Sequence, residues 1–351
     1  MRAAAGEHEH ERERRNRAAH AADSAAYDRP VDTLDRSTTW PYDERGEPRD
    51  FYYQRYAHPA GVAAEQALGE LDGGHALLFP SGSAAAAALA LALLEPGATI
   101  ALAAGAYFGT GRLFHMLARW GVSFMEFDQT AAPPDDVQLV WLEAPSNPFL
   151  TMPDLAAAAA HPAPVVVDST AATPIHLRPL EHGADFVLHS VTKYLAGHDD
   201  VLLGAVVCKR EEDAVRLHEF RGETGIVAAP DPCWLLLRSL PTLRVRVERQ
   251  TETARELARR LDEHAGVSIV RYPGFGGLMS FDVVDGATAR RVETSTRVIT
   301  NATSLGGVRS LIETRHRWEG DRVPEGLLRL SVGLEDADAL WSDLENALNQ
   351  V

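Results

Sequence analysis

Cysteine is nearly absent from this 351-residue chain: Cys208 and Cys233 are its only two, and they have no CxxC spacing. That excludes a disulfide framework and argues against a zinc or redox motif. Both read as small buried hydrophobes. Positive charge is also scarce, with 34 Lys and Arg against 50 Asp and Glu and a formal net charge of -16. A broad electrostatic grip on nucleic acid or on an anionic membrane needs the opposite balance, so neither is expected as a partner. No long hydrophobic run is present. The Ala/Leu stretch from Ala84 to Leu94 stops at Glu95-Pro96-Gly97, well short of the roughly 20 residues of a bilayer span. The charged start of the chain, from Glu7 to Arg15, lacks the apolar segment of a secretion signal. The expectation is a cytoplasmic protein. His8, His10 and His20 lie in this polar arm with no apolar frame to fix them, so they read as solvated residues and no metal site is expected.

What is present is an ordinary globular composition, 45% hydrophobic, on a chain long enough for about two domains. Residues 1–60 lack steady periodicity and read as an arm that packs on something else, partly disordered up to about Asp28. Residues 61–245 carry a short apolar run at Ala76–Phe79 ended by Pro80, and strand-like runs at Thr99–Leu102, Val122–Phe127, Val137–Leu142, Pro164–Val167, Phe186–Leu188 and Ala205–Val207. Helical stretches separate several of them, so the fold class is α/β with a largely parallel sheet covered on both faces. Functional groups are then expected at the carboxyl ends of the strands. Pro230 to Leu261 reads as one long amphipathic helical region. Residues 246–351 are expected to form a smaller α+β domain, with strands near Val267–Tyr272 and Gly277–Val283 and a final helix over Asp336–Leu348.

The chemistry concentrates at two strand ends. Pro164-Val165-Val166-Val167 leads without a charge into Asp168, a carboxylate that is costly to bury unless something positive meets it. The next strand delivers Ser190-Val191-Thr192-Lys193 to the same edge of the sheet. An acid, two hydroxyls and an amine together suit pyridoxal-5′-phosphate (PLP). Lys193 would attach the cofactor, Asp168 would pair with its pyridinium nitrogen, and Ser190 and Thr192 would donate to its phosphate. Alone, either residue would read as a surface lysine or a helix cap. Ser81-Gly82-Ser83 immediately precedes a helix, where free N–H groups and the helix dipole favour a phosphate. Tyr107 follows the strand at Thr99–Leu102, where its ring could stack on a flat cofactor or serve as a core aromatic.

Over almost its whole length, from about Ser37 to Leu348, the sequence resembles the transsulfuration (Cys/Met metabolism) family of fold-type I PLP enzymes. The densest similarity runs through Asp168-Ser169-Thr170, Pro179-Leu180-Glu181-His182-Gly183-Ala184-Asp185 and Ser190-Val191-Thr192-Lys193-Tyr194 to Val201. The resemblance implies an aspartate aminotransferase-like fold, PLP on Lys193, and a catalytic role for Lys193 and Tyr107. It implies phosphate contacts from Ser81, Gly82 and Ser83. It also implies that Tyr53 and Arg55 reach the phosphate from a neighbouring subunit, hence a homo-oligomer with shared sites, expected as a tetramer of paired dimers. Glu143-Ala144-Pro145-Ser146-Asn147-Pro148 resembles the family loop whose asparagine, here Asn147, approaches the ring hydroxyl. Arg329, with Ser304 and Asn147, would bind the substrate, the arginine taking the α-carboxylate through two parallel hydrogen bonds.

Departures fall on the substrate side. His58-Pro59-Ala60 stands where Asn-Pro-Thr is frequent, Phe108 replaces a glycine, Arg309 replaces a glutamate, and Glu313–Gly320 is short. Gly109 occupies the place of the cysteine of methionine γ-lyases, which disfavours that activity. A cystathionine γ-lyase-like reaction on a small amino acid is the expectation. γ-Synthase, β-lyase and O-acylhomoserine sulfhydrylase activities are alternatives, as is a protein that binds PLP or an amino acid without turnover. A nucleotide-binding oxidoreductase finds no Gly-x-Gly-x-x-Gly.

Overall fold

A computed structural model of the chain describes residues 33–350. The charged arm with His8, His10 and His20, and the stretch to Asp28 expected to be disordered, lie outside them. Seven strands form the larger sheet: β1 (His75–Phe79), β2 (Thr99–Ala103), β3 (Ser123–Phe127), β4 (Leu139–Glu143), β5 (Val165–Asp168), β6 (Phe186–His189) and β7 (Gly204–Cys208). Their order is β1-β7-β6-β5-β4-β2-β3. The five strands β3, β2, β4, β5 and β6 pair in parallel, whereas β7 runs against both its neighbours. The central strands β4 to β7 are near-continuously apolar, as a sheet covered on both faces requires, whereas the edge strand β3 is largely exposed. One face packs on helices Pro59–Asp72 and Pro230–Ser239, through residues such as Leu68, Val187, Val207 and Leu236. The other packs on helices Gly82–Leu93 and Phe108–Leu117, through Leu89, Phe114, Trp141 and Val206.

The helical region after Pro230 is not one helix. It divides into Pro230–Ser239 and Leu243–Asp262, joined by a single 3-10 turn at Leu240–Thr242. Pro241 sits in that turn; it has no N–H to give, and its ring clashes with the preceding turn of an α-helix. Nor are all the arginines of the second helix on a solvated face. Arg246 is buried and donates to the carbonyls of Tyr194 at 2.8 Å and of Leu195 and Ser239 at 3.2 Å, and burial lowers its pKa to about 10.

A second sheet carries β8 (Ile269–Arg271), β9 (Leu278–Asp282), β10 (Thr300–Asn301), β11 (Leu311–Thr314) and β12 (Leu327–Ser331), in the order β10-β11-β12-β9-β8. Met279, Phe281, Leu328 and Leu330 pack its core against helix Leu243–Asp262 and the terminal helix Ala337–Asn349. The two sheets meet where Ser280 donates to the Pro148 carbonyl at 2.8 Å. Among the described residues, no helix is long and apolar enough to cross a membrane.

Candidate active site

The parallel strands β4, β5 and β6 end side by side, with Glu143 paired to Asp168 and Asp168 to Leu188. Two residues beyond Leu188 the chain turns through Ser190 to Lys193. These ends form the floor of a cavity of about 410 Å³ lined by Ser81, Gly82, Ser83, Tyr107, Asn147, Asp168, Ser190, Thr192, Lys193, Ser304 and Arg329. That volume lies within the range of small-molecule sites. Of the residues singled out from the sequence, only Tyr53 and Arg55 lie elsewhere. Arg55 donates to the Gly222 carbonyl at 2.6 Å and lies beside the rings of Tyr53 and Tyr56.

Lys193 donates to the Ser304 hydroxyl at 2.8 Å, although the two residues are 111 positions apart. Among the described residues no carboxylate forms an ion pair with the amine, although the charges of Asp199 and Glu313 act on it from further away. Burial first, and then the nearby Arg329, lower its pKa to about 8. Both hydrogen bonds to Asp168 fall on Oδ1: the Thr170 N–H at 3.0 Å and the Thr170 hydroxyl at 2.5 Å. Among the described residues no hydrogen bond reaches Oδ2 of this cavity-lining residue, and burial raises the pKa of the carboxyl. A cation against Oδ2 would reverse that shift. Thr170 also accepts from the Ser190 N–H at 2.8 Å, so one hydroxyl ties the two strand ends together.

Helix Gly82–Leu93 opens with Ser81 as its cap, whose hydroxyl accepts from the Ala84 N–H at 3.1 Å. The first helical bond runs from the Ala85 N–H to the Ser81 carbonyl, so the N–H groups of Gly82 and Ser83 precede the ladder and point outward. A Cβ at Gly82 would lie 3.0 Å from the Ser190 Cβ, which explains the glycine at this close approach. The Thr192 hydroxyl differs from the sequence expectation in being committed to the backbone: it donates to the Leu203 carbonyl at 3.1 Å and accepts from the Leu203 N–H at 3.0 Å. Asn147 turns its side-chain oxygen to Arg329 at 3.1 Å.

This donor set fits PLP. An unpaired amine stands on one side, a buried carboxylate with a free oxygen below, and a helix N-terminus of small residues at the end. The ring nitrogen would meet Asp168, the aldehyde carbon Lys193, and the phosphate the Gly82 and Ser83 N–H groups. Tyr107 flanks the cavity, its N–H held by Glu143, and its ring fills the space that a side chain at Gly109 would need, 2.4 Å from an added Cβ.

Among the lining residues that carried no assigned role in the sequence reading are Glu143, Thr170, Arg315 and Trp318. Glu143 is buried beside Asp168, and Thr170 orients Asp168. Arg315 and Trp318 come from the short segment after β11. The scarcity of lysine is a signal that could have been used: Lys193 and Lys209 are the only two in the chain, and Lys209 is exposed.

The profile of the Cys/Met metabolism PLP-dependent enzymes matches residues 16–349. The chain is 38% identical to the cystathionine γ-synthase of Mycobacterium tuberculosis, over 85% of this chain and 86% of the other. It is 34% identical to the cystathionine β-lyase of Lactococcus lactis, over 90% and 93%. The crystal structure of a cystathionine γ-lyase from Micromonospora echinospora superposes with a TM-score of 0.85 at 36% identity, covering 91% of this chain and 93% of that one.

Proposed function

This chain belongs to the Cys/Met metabolism family of PLP-dependent enzymes, and from that premise we propose that it cleaves the Cγ–S bond of cystathionine or a close analogue. One water is consumed, and the products are cysteine, 2-oxobutanoate and ammonia. The observation that carries this reading is the Lys193 amine: buried, without a carboxylate ion-pair partner among the described residues, in the same cavity wall as Asp168, and brought to about 8 by burial and Arg329.

PLP, when bound, supplies an electron sink for charge developing at the substrate Cα. The protein's part is to bind, orient and move protons. Arg329 takes the substrate α-carboxylate, with Ser304 and Asn147 beside it fixing the plane of the guanidinium. Asp168, pinned by Thr170, holds the ring nitrogen in its protonated form. Ser190 and the Gly82–Ser83 N–H groups anchor the phosphate. The Lys193 amine, whose pKa of about 8 leaves a share of it unprotonated near neutral pH, removes the Cα proton, gives that proton up again, and then takes the Cβ proton whose loss lets the γ-sulfur depart. Tyr107, at the cavity mouth and partly exposed, is placed to exchange protons with the incoming amino group.

Tyr53 and Arg55 complete the phosphate site from a neighbouring copy, in a homo-oligomer built on dimers with shared sites. Supporting this are their absence from the cavity of their own chain and the partial exposure of Tyr53.

The test is to record the visible spectrum of the purified holoenzyme and assay its products from L-cystathionine. A cofactor band that disappears in Lys193→Ala, with 2-oxobutanoate and cysteine as products, is expected. Pyruvate and homocysteine would reassign the chain as a β-lyase. A band without turnover, but with replacement chemistry on an O-acylated homoserine, would make it a γ-synthase or sulfhydrylase.

A further inference from the structure

A second arginine lies in the cavity wall. Arg315 is 2% exposed, as deeply buried as Arg329 at 4%, and lines the same cavity. The carboxylate of Glu313 connects the two. Glu313 and Arg329 are directly opposite each other on the antiparallel strands β11 and β12, and Arg329 Nη2 donates to Glu313 Oε1. Taken alone this pair is neutral. An arginine already neutralised by an internal carboxylate offers an incoming carboxylate a hydrogen-bonding surface with little net charge behind it.

Arg315 changes that balance. Its Nη1 donates to the same Glu313 Oε1 at 2.8 Å, while the Trp318 ring N–H donates to Oε2 at 3.1 Å and the Thr303 hydroxyl to Oε1 at 3.3 Å. Glu313 is thus shared between two guanidinium groups. Arg315 is held in turn by Glu319, which accepts from its Nε at 2.9 Å. The Phe108 ring, which also lines the cavity, lies 5.5 Å from the Arg315 guanidinium carbon. The charges run in a row, Arg329, Glu313, Arg315, Glu319, and Glu319 at the far end carries the countercharge of Arg315.

We infer that Arg315 is a positioning residue for substrate recognition: by sharing Glu313 it fixes the carboxylate that orients Arg329 and leaves that guanidinium less fully compensated than a private pair would, so that it takes the α-carboxylate of the amino-acid substrate. The inference rests on the reading of Arg329 as the carboxylate site. It gives a purpose to two residues on the substrate side, since Arg315 and Phe108 both belong to segments that depart from the family pattern.

The experiment is a spectral titration of the holoenzyme with L-alanine, an amino acid with a carboxylate but no leaving group on Cγ, reading the dissociation constant from the shift of the cofactor band. Arg315→Met leaves Glu313 to neutralise Arg329, and weakening of about tenfold or more is expected. Removing the excess negative charge in Arg315→Met/Glu313→Gln is expected to recover most of that loss. Arg315→Lys, which keeps the charge, stays within about threefold of the parent. A merely structural role predicts the reverse order, because the double variant then loses two buried partners instead of one. Thermal unfolding accompanies each variant; if Arg315→Met does not fold, the comparison of Arg315→Lys with the double variant decides. The inference is overturned if Arg315→Met binds L-alanine as the parent does while Arg329→Met does not, or if the double variant is no better than the single. If Arg329→Met itself binds L-alanine unchanged, the carboxylate reading of Arg329 fails instead.

Discussion

Glu143 and Asp168 stand opposite each other at the ends of the parallel strands β4 and β5, two buried acids side by side on the floor of one cavity. Burial, and after it the neighbouring Asp168, hold the Glu143 carboxyl well above the ordinary carboxylate range. Asp168 is raised by burial too, but its hydrogen bonds from Thr170 pull the other way. The two acids differ in what meets them: Asp168 is favoured as an anion by its two hydrogen bonds from Thr170, while Glu143, raised further, accepts the Tyr107 N–H.

Glu143→Gln follows directly. An acid raised in the folded state costs stability above its ordinary value of 4.5, and the cost grows as pH rises toward the folded pKa. The amide removes that slope. In the cofactor-stripped protein, Glu143→Gln gains over the parent by at most about 1.4 kcal/mol per pH unit from about pH 5 upward. Thermal unfolding at a series of pH values measures this; a gain independent of pH would show that Glu143 is ionised.

Lys193→Met is expected to abolish the visible cofactor band and also to stabilise the stripped protein. The folded pKa of Lys193, about 8, lies below its ordinary 10.5, so the unfolded chain binds the proton more tightly. The full cost of burying the cation is present below pH 8 and fades as pH rises toward 10.5. At neutral pH the variant gains up to about 3 kcal/mol, and the gain vanishes above the upper limit of that window. Denaturant unfolding at neutral and at alkaline pH tests both ends.

Gly109→Cys puts a Cβ where the Tyr107 ring now lies, 2.4 Å away. The ring must move from its place at the cavity mouth. A fall in kcat of about tenfold or more is expected, with unfolding little changed because Tyr107 is partly exposed. Steady-state kinetics with L-cystathionine, set beside Gly109→Ala, checks that the loss follows the displaced ring and not the thiol.

Subunit mixing tests the shared site. Lys193→Ala and Arg55→Ala proteins are each expected to be nearly inactive. If Arg55 serves a neighbouring Lys193, equal mixtures refolded together regain about a quarter of the parent activity, since half of the dimers are hybrids with one intact site. A mixture as inactive as its components would place Arg55 outside the site.

What could be read along the chain is what depends on local pattern. Continuous Val runs ending in Asp168, the Ser81-Gly82-Ser83 turn before an Ala/Leu helix, and Ser190 to Lys193 after an apolar strand each declare themselves within ten residues. Hydrophobic period and capping chemistry act over that range. The resemblance to a family then supplied roles that spacing alone could not. The break at Pro241 was also legible, and was missed only because the apolar pattern continues across it.

Tertiary structure decided the rest, because it concerns which charges meet. Lys193 finds Ser304 from 111 positions away, and Arg329 meets Glu313 only through the register of β11 on β12. In the sequence, Glu313, Arg315 and Glu319 read as scattered charges on a short connecting segment. Folding removes them from water, and a buried charge must be paired or shift its pKa. The sequence determined that an amine, an acid and a phosphate turn would share one sheet edge. The burial of Arg315 and Arg329 around one carboxylate, and with it the charge presented to the substrate, was settled by how the second sheet closes over the first.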